Sequence, residues 1–547
     1  MIRWLYIVLN TALIIGLGAC QSKPKADLMV YNARIYSCDS LCTVYEAMAV
    51  QNGRVLALGN ADSLRSVYQF KQFKNLQSCV VYPGFIDAHC HFSGYAADMY
   101  KCSLKGSRSF DELLMRVKNY AKTASQEWIY GRGWDQTDWL PNDVLDFDRL
   151  NAAFPNRPVV LKRIDGHAMM VNQEALRRAG ITAKTKIKGG CIELKNGIPT
   201  GLLIDNAMNP VEACIAPPPD STWSRYLKTA QQHCLQLGLT GIQDCGVSTS
   251  TIRLLKSLYQ KKELVLNNYV FVRDAPEELS YWLNQKPLKV NGLKVGGFKL
   301  YADGALGSRG ACLKQAYSDE GMQKGFFLQP LDSIRQKLRR IQNSPYQVCT
   351  HAIGDSANGT VLLLYQEFMP QAHTNRWRIE HAQVIDQSIN SLSLWKKIIP
   401  SVQPTHALSD RNWAEARLGQ TRMQGAYAYK TLLRHAGLLA LGTDFPVEEI
   451  NPLHTFLAAV FRKDAKGLPN NGYRVEESIS RTEALLGMTR WAAYASFSEG
   501  DLGSLEPGKQ ADFIVSAVDL IRDTESKIMR FEVLETYLQG KLVYQKK

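Results

Sequence analysis

At 547 residues, 45% of them hydrophobic and 21% charged, the chain is too long to rest on one small core and too apolar to be a disordered polymer. Its formal charge of +14 is spread over the sequence with no long run of Lys or Arg, which excludes a basic tail and argues against a nucleic-acid partner. A large barrel-type domain with at least one accessory domain is the expectation.

The first stretch, MIRWLYIVLNTALIIGLGAC, carries one early cation, Arg3, and is then apolar from Trp4 to Ala19 except at Asn10 and Thr11. It is short for a membrane span of ~20 residues and has the layout of a secretory signal, here residues 1–19. Leu17-Gly18-Ala19-Cys20 resembles a bacterial lipobox, which implies lipidation of Cys20 and a polar tether over residues 20–26. The expectation is an exported bacterial lipoprotein on the periplasmic or cell-surface side, touching the membrane through its N-terminal lipid anchor only. Twelve cysteines less Cys20 leave eleven, an odd number without a CxxC, so most read as small buried residues rather than a disulfide framework.

Short strand-like runs follow in ADLMVYNARIY, YEAMAVQNGRVLALG and QSCVVYP, parted by polar or Gly-containing turns. Matching pieces stand at the far end in GKQADFIV and FEVLETYLQGKLVYQ. Together they suggest a small β-sandwich formed by residues 27–82 and 503–547. Between them, residues 83–502 alternate apolar runs with amphipathic stretches such as DSIRQKLRRIQ, NGTVLLLYQEFM and YKTLLRHAG. The runs are VVYPGFIDAHC, LGLTGIQDCG, LVLNNYVFVRD, LKVGGFKLYADG, YQVCTHAIGD, RWRIEHAQV, IIPSVQPTHAL and GLLALGTDFPV. Strand-helix alternation argues for a parallel sheet, and eight units argue for a (β/α)8 TIM barrel, an α/β fold whose site lies where the strands end. About 140 residues part the first run from the second. That is more than a helix and its loops need, so an inserted subdomain is expected over the barrel mouth at about 104–225. It opens with Ser109-Phe110-Asp111-Glu112, the layout of a capping box, before LLMRVKNYAK.

The candidate chemistry sits at the strand ends. In PGFIDAHCHF, His89 and His91 are two apart and share a strand face toward the interior, while Cys90 points away. Two neutral imidazoles so placed reach one zinc-sized ion. His351 in THAIGD, His381 in IEHAQ and Asp444 in GTDFP end the fifth, sixth and eighth runs, so ligand-type residues from four strands converge on one mouth. Lys299, ending the fourth run, does not belong beside a dication as an ammonium. It either pairs with Asp303 or another acid, or is neutral, or is converted by CO2 to a carbamate able to bridge two metals. His406 ends the seventh run, where it could border the pocket, but it lacks an assigned partner and is set aside with His373, His435 and His454.

PGFIDAHCHF, KLYADGALGSRGA, THAIGD, RIEHAQ, GTDFPV and GSLEPGKQADFIV, in this order, resemble the amidohydrolase superfamily, and within it the amidohydrolase-3 branch that includes YtcJ-like proteins and N-substituted formamide deformylases. The resemblance covers nearly all of the chain after the tether. It implies one or two divalent ions, usually zinc, in a barrel accompanied by a β-sandwich from the two termini. Carried over position by position, it implies His89 and His91 on a first metal, His351 and His381 on a second, Lys299 as a carboxylated bridge, and Asp444 as ligand and base. No position of the set is vacant. Metal-activated water would then hydrolyse a non-peptide C-N bond in a small amide-like or formamide-like molecule.

In the insert, Trp134 and Asp135 of GRGWDQ offer an aromatic wall and an acid. Arg163, Asp165 and His167 of RIDGH share a face if that segment is extended, and are further substrate candidates. The same residues also read as an internal salt bridge with a capped histidine. Arg309 in GSRGA is a candidate for orienting a substrate carboxylate. Two other readings stand beside the amidohydrolase one. A lactonase or esterase would use the same centre, since metal-activated water does not choose its leaving group. A non-catalytic solute-binding lipoprotein would keep the barrel alone. The specific substrate and the oligomeric state are not legible in the sequence.

Overall fold

The computed structural model describes residues 23–124, 127–139, 144–216, 219–369 and 375–547. The signal pattern and Cys20 therefore lie outside the described residues. Eight strands form the barrel: β1 (Phe85–Cys90), β2 (Leu239–Val247), β3 (Asn267–Arg273), β4 (Leu293–Tyr301), β5 (Gln347–Ala352), β6 (Arg378–His381), β7 (Ile399–Val402) and β8 (Ala440–Leu441). Each pairs with the next in parallel register from β1 to β8. Covered on both faces, such strands read as continuous apolar runs rather than as alternating ones. The helices between them carry the other period. Leu331–Ile341 buries Ile334, Leu338 and Ile341 and turns Arg339 and Arg340 outward.

The ring closes where β8 meets β1. The Asp444 N–H donates to His89 O and the His91 N–H to Phe445 O, each at 2.8 Å. Asp87 stitches the same seam, accepting from Thr443 Oγ1 at 2.7 Å and from the N–H groups of Thr443 and His89 at 3.1 Å. A Cβ at Gly442 would stand 2.5 Å from His89 N, so only glycine lets β8 lie this close. The closure thus brings the first-run histidines and Asp444 together.

An eight-stranded sheet is drawn from both ends of the chain. Its join is antiparallel, with Val81 opposite Val515 and Pro83 opposite Phe513. Two hairpins in it turn on Asn52-Gly53 and Gln539-Gly540, all four residues at positive φ, as tight two-residue loops require. Leu28, Val30, Met48, Val81, Phe513 and Val515 share one core.

The segment between β1 and β2 folds as a second sheet. Its strands lie in the order Gly190–Lys195, Ile198–Asp205, Ala168–Val171, Val159–Arg163, Ile129–Trp134 and Cys102–Ser103. Each face has its own core: Val159 and Leu161 pack with Leu113 and Val117, while Val160 packs with Met169 and Leu203. The expected capping box forms by half. Ser109 Oγ accepts from Glu112 N at 3.1 Å, but the Glu112 carboxylate takes the Arg108 N–H at 2.9 Å. Among the described residues every cysteine is free and most are buried. No helix among them is long and apolar enough to cross a membrane.

Candidate metal centre

β1 delivers His89 and His91 to the mouth, and Asp444 follows β8 directly across the seam. His89 Nε2 and His91 Nε2 lie 3.4 and 3.2 Å from Asp444 Oδ1. His381, ending β6, has Nδ1 4.0 Å from Asp444 Oδ2, and His406, after β7, has Nε2 3.6 Å from the same oxygen. Two sets, His89-His91-Asp444 and His381-His406-Asp444, each hold their ligand atoms within 4.8 Å of one another. Asp444 Oδ1 and His406 Nε2 are buried and have no hydrogen-bond partner among the described residues. Buried polar atoms are rarely left so, and a cation bound in each set would relieve them. Imidazole nitrogen and carboxylate oxygen are the donors such an ion takes, so these residues fit a divalent metal.

The backbone bends to aim them. On a regular strand Glu380 and His381 would face opposite ways, but φ is 72° at His381 and 43° at Ala382, and both side chains reach the interior. Asp444 has φ 63°. Non-glycine residues in this region are uncommon and gather at functional sites.

Behind the ligands stands a closed network. His89 Nδ1 donates to Glu380, and Arg378 clamps Glu380 through Nε to Oε1 at 2.8 Å and Nη2 to Oε2 at 3.0 Å. Arg378 also donates to Ala88 O and Ser401 Oγ at 2.6 and 2.8 Å. Burial pushes the Glu380 carboxyl up, but Arg378 and His89 outweigh it and hold it far below the usual carboxylate range. A charged acceptor on Nδ1 fixes the ring and turns Nε2 of His89 to the centre. His91 Nδ1 donates to Cys245 O at 2.9 Å and His381 Nδ1 to Gln403 Oε1 at 2.7 Å, by the same device. Burial, reinforced by a neighbouring imidazole, pushes His351 and His381 well below the usual range and keeps the neutral ring that metals bind. At Asp444 burial acts upward, but His89 and His91 outweigh it and hold the carboxyl well below its usual range.

Lys299 Nζ stands 3.3 Å from His89 Nε2, and no described carboxylate pairs with it. Asp303, the alternative partner, gives its oxygens instead to the N–H groups of Cys312, Ile353 and Gly354 at 2.8, 3.0 and 2.9 Å. His351 packs against His381 with ring centroids 4.5 Å apart and belongs to neither set of three.

The insert walls a cavity of about 950 Å³ that also takes in His91, Lys299, His351, His381, His406 and Asp444. RIDGH is a turn rather than the extended segment expected: β-structure ends at Arg163, Gly166 has φ 78°, and its N–H donates to Arg163 O at 3.0 Å. The turn still brings Arg163, Asp165 and His167 to the cavity. Arg163 is held by Asp165, by Asp135 at 2.6 Å and by Gln136 Oε1 at 3.0 Å. His167 Nδ1 lies 2.6 Å from Asp205 Oδ1. Burial opposes a charge on His167, but Asp205 outweighs it and raises the imidazole above its usual range.

A family model described as the amidohydrolase family matches residues 72–544. The chain belongs to the amidohydrolase family. It is 32% identical over 538 residues to Protein LONG AFTER FAR-RED 3 of Arabidopsis thaliana, covering 95% of this chain and 92% of that one. It is 30% identical to YtcJ of Bacillus subtilis, whose name assigns it to the amidohydrolases, over 92% of this chain and 96% of that one. N-substituted formamide deformylase of Arthrobacter pascens is 24% identical over 95% of this chain and 98% of its own length. These relatives put the chain in the amidohydrolase-3 branch. A crystal structure of an uncharacterized metal-dependent hydrolase from Pyrococcus horikoshii matches with TM-score 0.74 at 25% identity, covering 91% of this chain and 99% of that one.

In this amidohydrolase the expected ligands His89, His91, His381 and Asp444 meet, with His351 and Lys299 beside them. His406, left without a partner in the sequence reading, faces Asp444. Its signal was present, since QPTHAL ends a strand as THAIGD does. Glu380 and Arg378 were also missed, although two charges two apart on a buried strand must pair. Two substrate candidates need correction. Trp134 is no cavity wall: it is 1% exposed in the core of the insert, its Nε1 donating to Leu161 O at 2.7 Å. Arg309 lies off the cavity with its guanidinium on Asp319 at 3.0 Å, where it is already satisfied.

Proposed function

We propose that this amidohydrolase hydrolyses a non-peptide C-N bond in a small, neutral, amide-like or formamide-like substrate. His89, His91, His351, His381 and Asp444 would hold one or two zinc ions, with His406 facing Asp444 beside them and a carboxylated Lys299 as a further anionic ligand. The observation that carries the reading is Asp444 Oδ1, buried, without a hydrogen bond, and faced by two imidazole nitrogens at 3.2 and 3.4 Å.

A divalent ion bound there supplies Lewis-acid polarisation and a water acidic enough to ionise near neutral pH. Asp444, the ionised carboxylate at the centre, takes the proton of the attacking water and passes it to the leaving nitrogen. Glu380, clamped by Arg378, keeps the His89 proton on Nδ1 throughout. Lys299 has no carboxylate partner among the described residues, and loss of its ammonium proton, addition of CO2 to the free amine and release of a second proton would turn a cation that repels a dication into an anion that binds one.

Two observations support the substrate class. Each Lys or Arg lining the cavity other than Lys299 has a carboxylate within 3.4 Å, so none waits for a substrate anion. The relative named N-substituted formamide deformylase aligns over 95% of this chain. At the other end, the lipobox-like Leu17-Gly18-Ala19-Cys20 supports lipidation of Cys20 and a place on the outer side of a bacterial membrane.

The test offers the purified chain, with defined zinc, N-formyl, N-acyl and cyclic amides beside ester and lactone counterparts. The reading expects C-N cleavage to lead. Turnover of esters or lactones alone would give the centre to a lactonase, and metal binding without any turnover would favour solute capture.

A further inference from the structure

Asp205 ends the insert strand that pairs with the one after His167, and it is built into the join between insert and barrel. Its N–H donates to His167 O at 3.0 Å, and its Oδ1 takes His167 Nδ1 at 2.6 Å. The Asp205 side chain is 1% exposed and that of His167 18%. Asp205 Oδ2 has no hydrogen-bond partner among the described residues. It rests in a notch of the loop after β4, where a Cβ at Gly304 or at Gly310 would come within 2.7 Å of it. Asp205 itself holds φ 50° and ψ −125°, a conformation a non-glycine residue rarely keeps unless its surroundings fix it. The next residue adds a clasp, Asn206 Nδ2 donating to Leu328 O at 2.9 Å. The His167 ring lies 5.3 Å from that of His351, and both line the cavity. His167 Nε2 has no protein partner among the described residues.

From this geometry we propose that Asp205 is a positioning residue: through Nδ1 it fixes the tautomer and orientation of His167, so that Nε2 is presented to the scissile group at the metal centre. The inference rests on the hydrolytic reading above and adds how the insert takes part in it. A carboxylate on one imidazole nitrogen leaves only the other for substrate, and loss of the carboxylate frees the ring to take the wrong tautomer even where the fold survives. The glycine notch explains why the carboxylate can stand there. A side chain on either glycine would push it away from His167.

The test uses the zinc-loaded chain and the variants Asp205→Asn, Asp205→Glu, His167→Gln and the Asp205→Asn/His167→Gln double variant. Asp205→Asn should lower kcat on the best amide by on the order of 10²-fold with little change in KM and unchanged metal content. Asp205→Glu should recover part of that loss, and the double variant should lose no more than His167→Gln alone. Nitrogen-15 histidine spectra should show His167 protonated at Nδ1 in the wild type and redistributed in Asp205→Asn. Losses that multiply in the double variant, or equal loss in Asp205→Asn and Asp205→Glu, would reduce Asp205 to a structural joint and overturn the proposal. If the wild type cleaves no C-N bond offered, the hydrolytic reading fails, while the histidine spectra still decide the positioning. An unchanged His167 signal in Asp205→Asn would overturn it there.

Discussion

The barrel mouth and the insert wall are built from the same residue types and differ in how those residues are satisfied. On the insert, Arg163 lies between Asp135 and Asp165 and His167 leans on Asp205, so charge is largely cancelled within the wall. At the mouth the rear is equally closed, with Glu380 between Arg378 and His89, but the front is open at Asp444 Oδ1 and His406 Nε2. Leaving one buried polar atom unpaired costs roughly 1–3 kcal/mol, which a chain sustains where something bound offsets it. A His or an Asp does not by itself mark a ligand, and neither does one unpaired oxygen, since Asp205 Oδ2 on the insert is unpaired too; an unpaired atom faced by other ligand atoms, as Asp444 Oδ1 is by His89 and His91, does.

Breaking the open side should do most. Asp444→Asn should lower kcat by on the order of 10²–10⁴-fold and reduce bound metal, measured by steady-state kinetics and elemental analysis. Full turnover with metal still bound would contradict its role as base. Glu380→Gln strikes the closed shell behind His89. It should weaken metal affinity or activity by about 10–100-fold, and, by leaving Arg378 uncompensated, destabilise the fold by about 3–5 kcal/mol in denaturant titration.

On the insert the signature should invert. Arg163→Met leaves two carboxylates facing each other and should lower stability by a few kcal/mol while metal content stays at the wild-type value. Arg309→Ala removes a partly exposed ion pair away from the cavity. It should change stability by ~1 kcal/mol or less and leave KM unchanged, against the substrate role suggested by its motif.

A separate, pH-dependent effect belongs to a group outside both regions. Burial raises Asp512 to about 6, above the ~3.9 of an unfolded chain. The folded state then keeps a proton that the unfolded state has lost. This contribution is present in full below about pH 4 and lost as pH rises through 6, up to ~3 kcal/mol. Asp512→Asn should therefore gain on wild type between pH 4 and 7 in denaturant midpoints, with catalysis untouched.

Much of this was legible because buried parallel strands write themselves as apolar runs, and because a period of two places His89 and His91 on one face. What was hidden depended on loops and on which face points inward. RIDGH looked extended, but Gly166 turns it. His406 needed the path of the loop after β7. Trp134 faced the insert's own core, a core the sequence did not outline. The strand Gln69–Asn75 escaped because QFKQFKN is an exposed, polar segment whose Lys71 and Lys74 pair with Asp27 and Glu535.

The central claim is that the barrel mouth is a metal site that drives hydrolysis. It is tested most directly on the chain lacking residues 1–20, by metal quantification before and after chelation, with amide turnover followed at each stage. The account predicts one or two equivalents of divalent metal, turnover lost on chelation and turnover restored by zinc. A chain that binds no metal, or one whose turnover is unaffected by its removal, would contradict it.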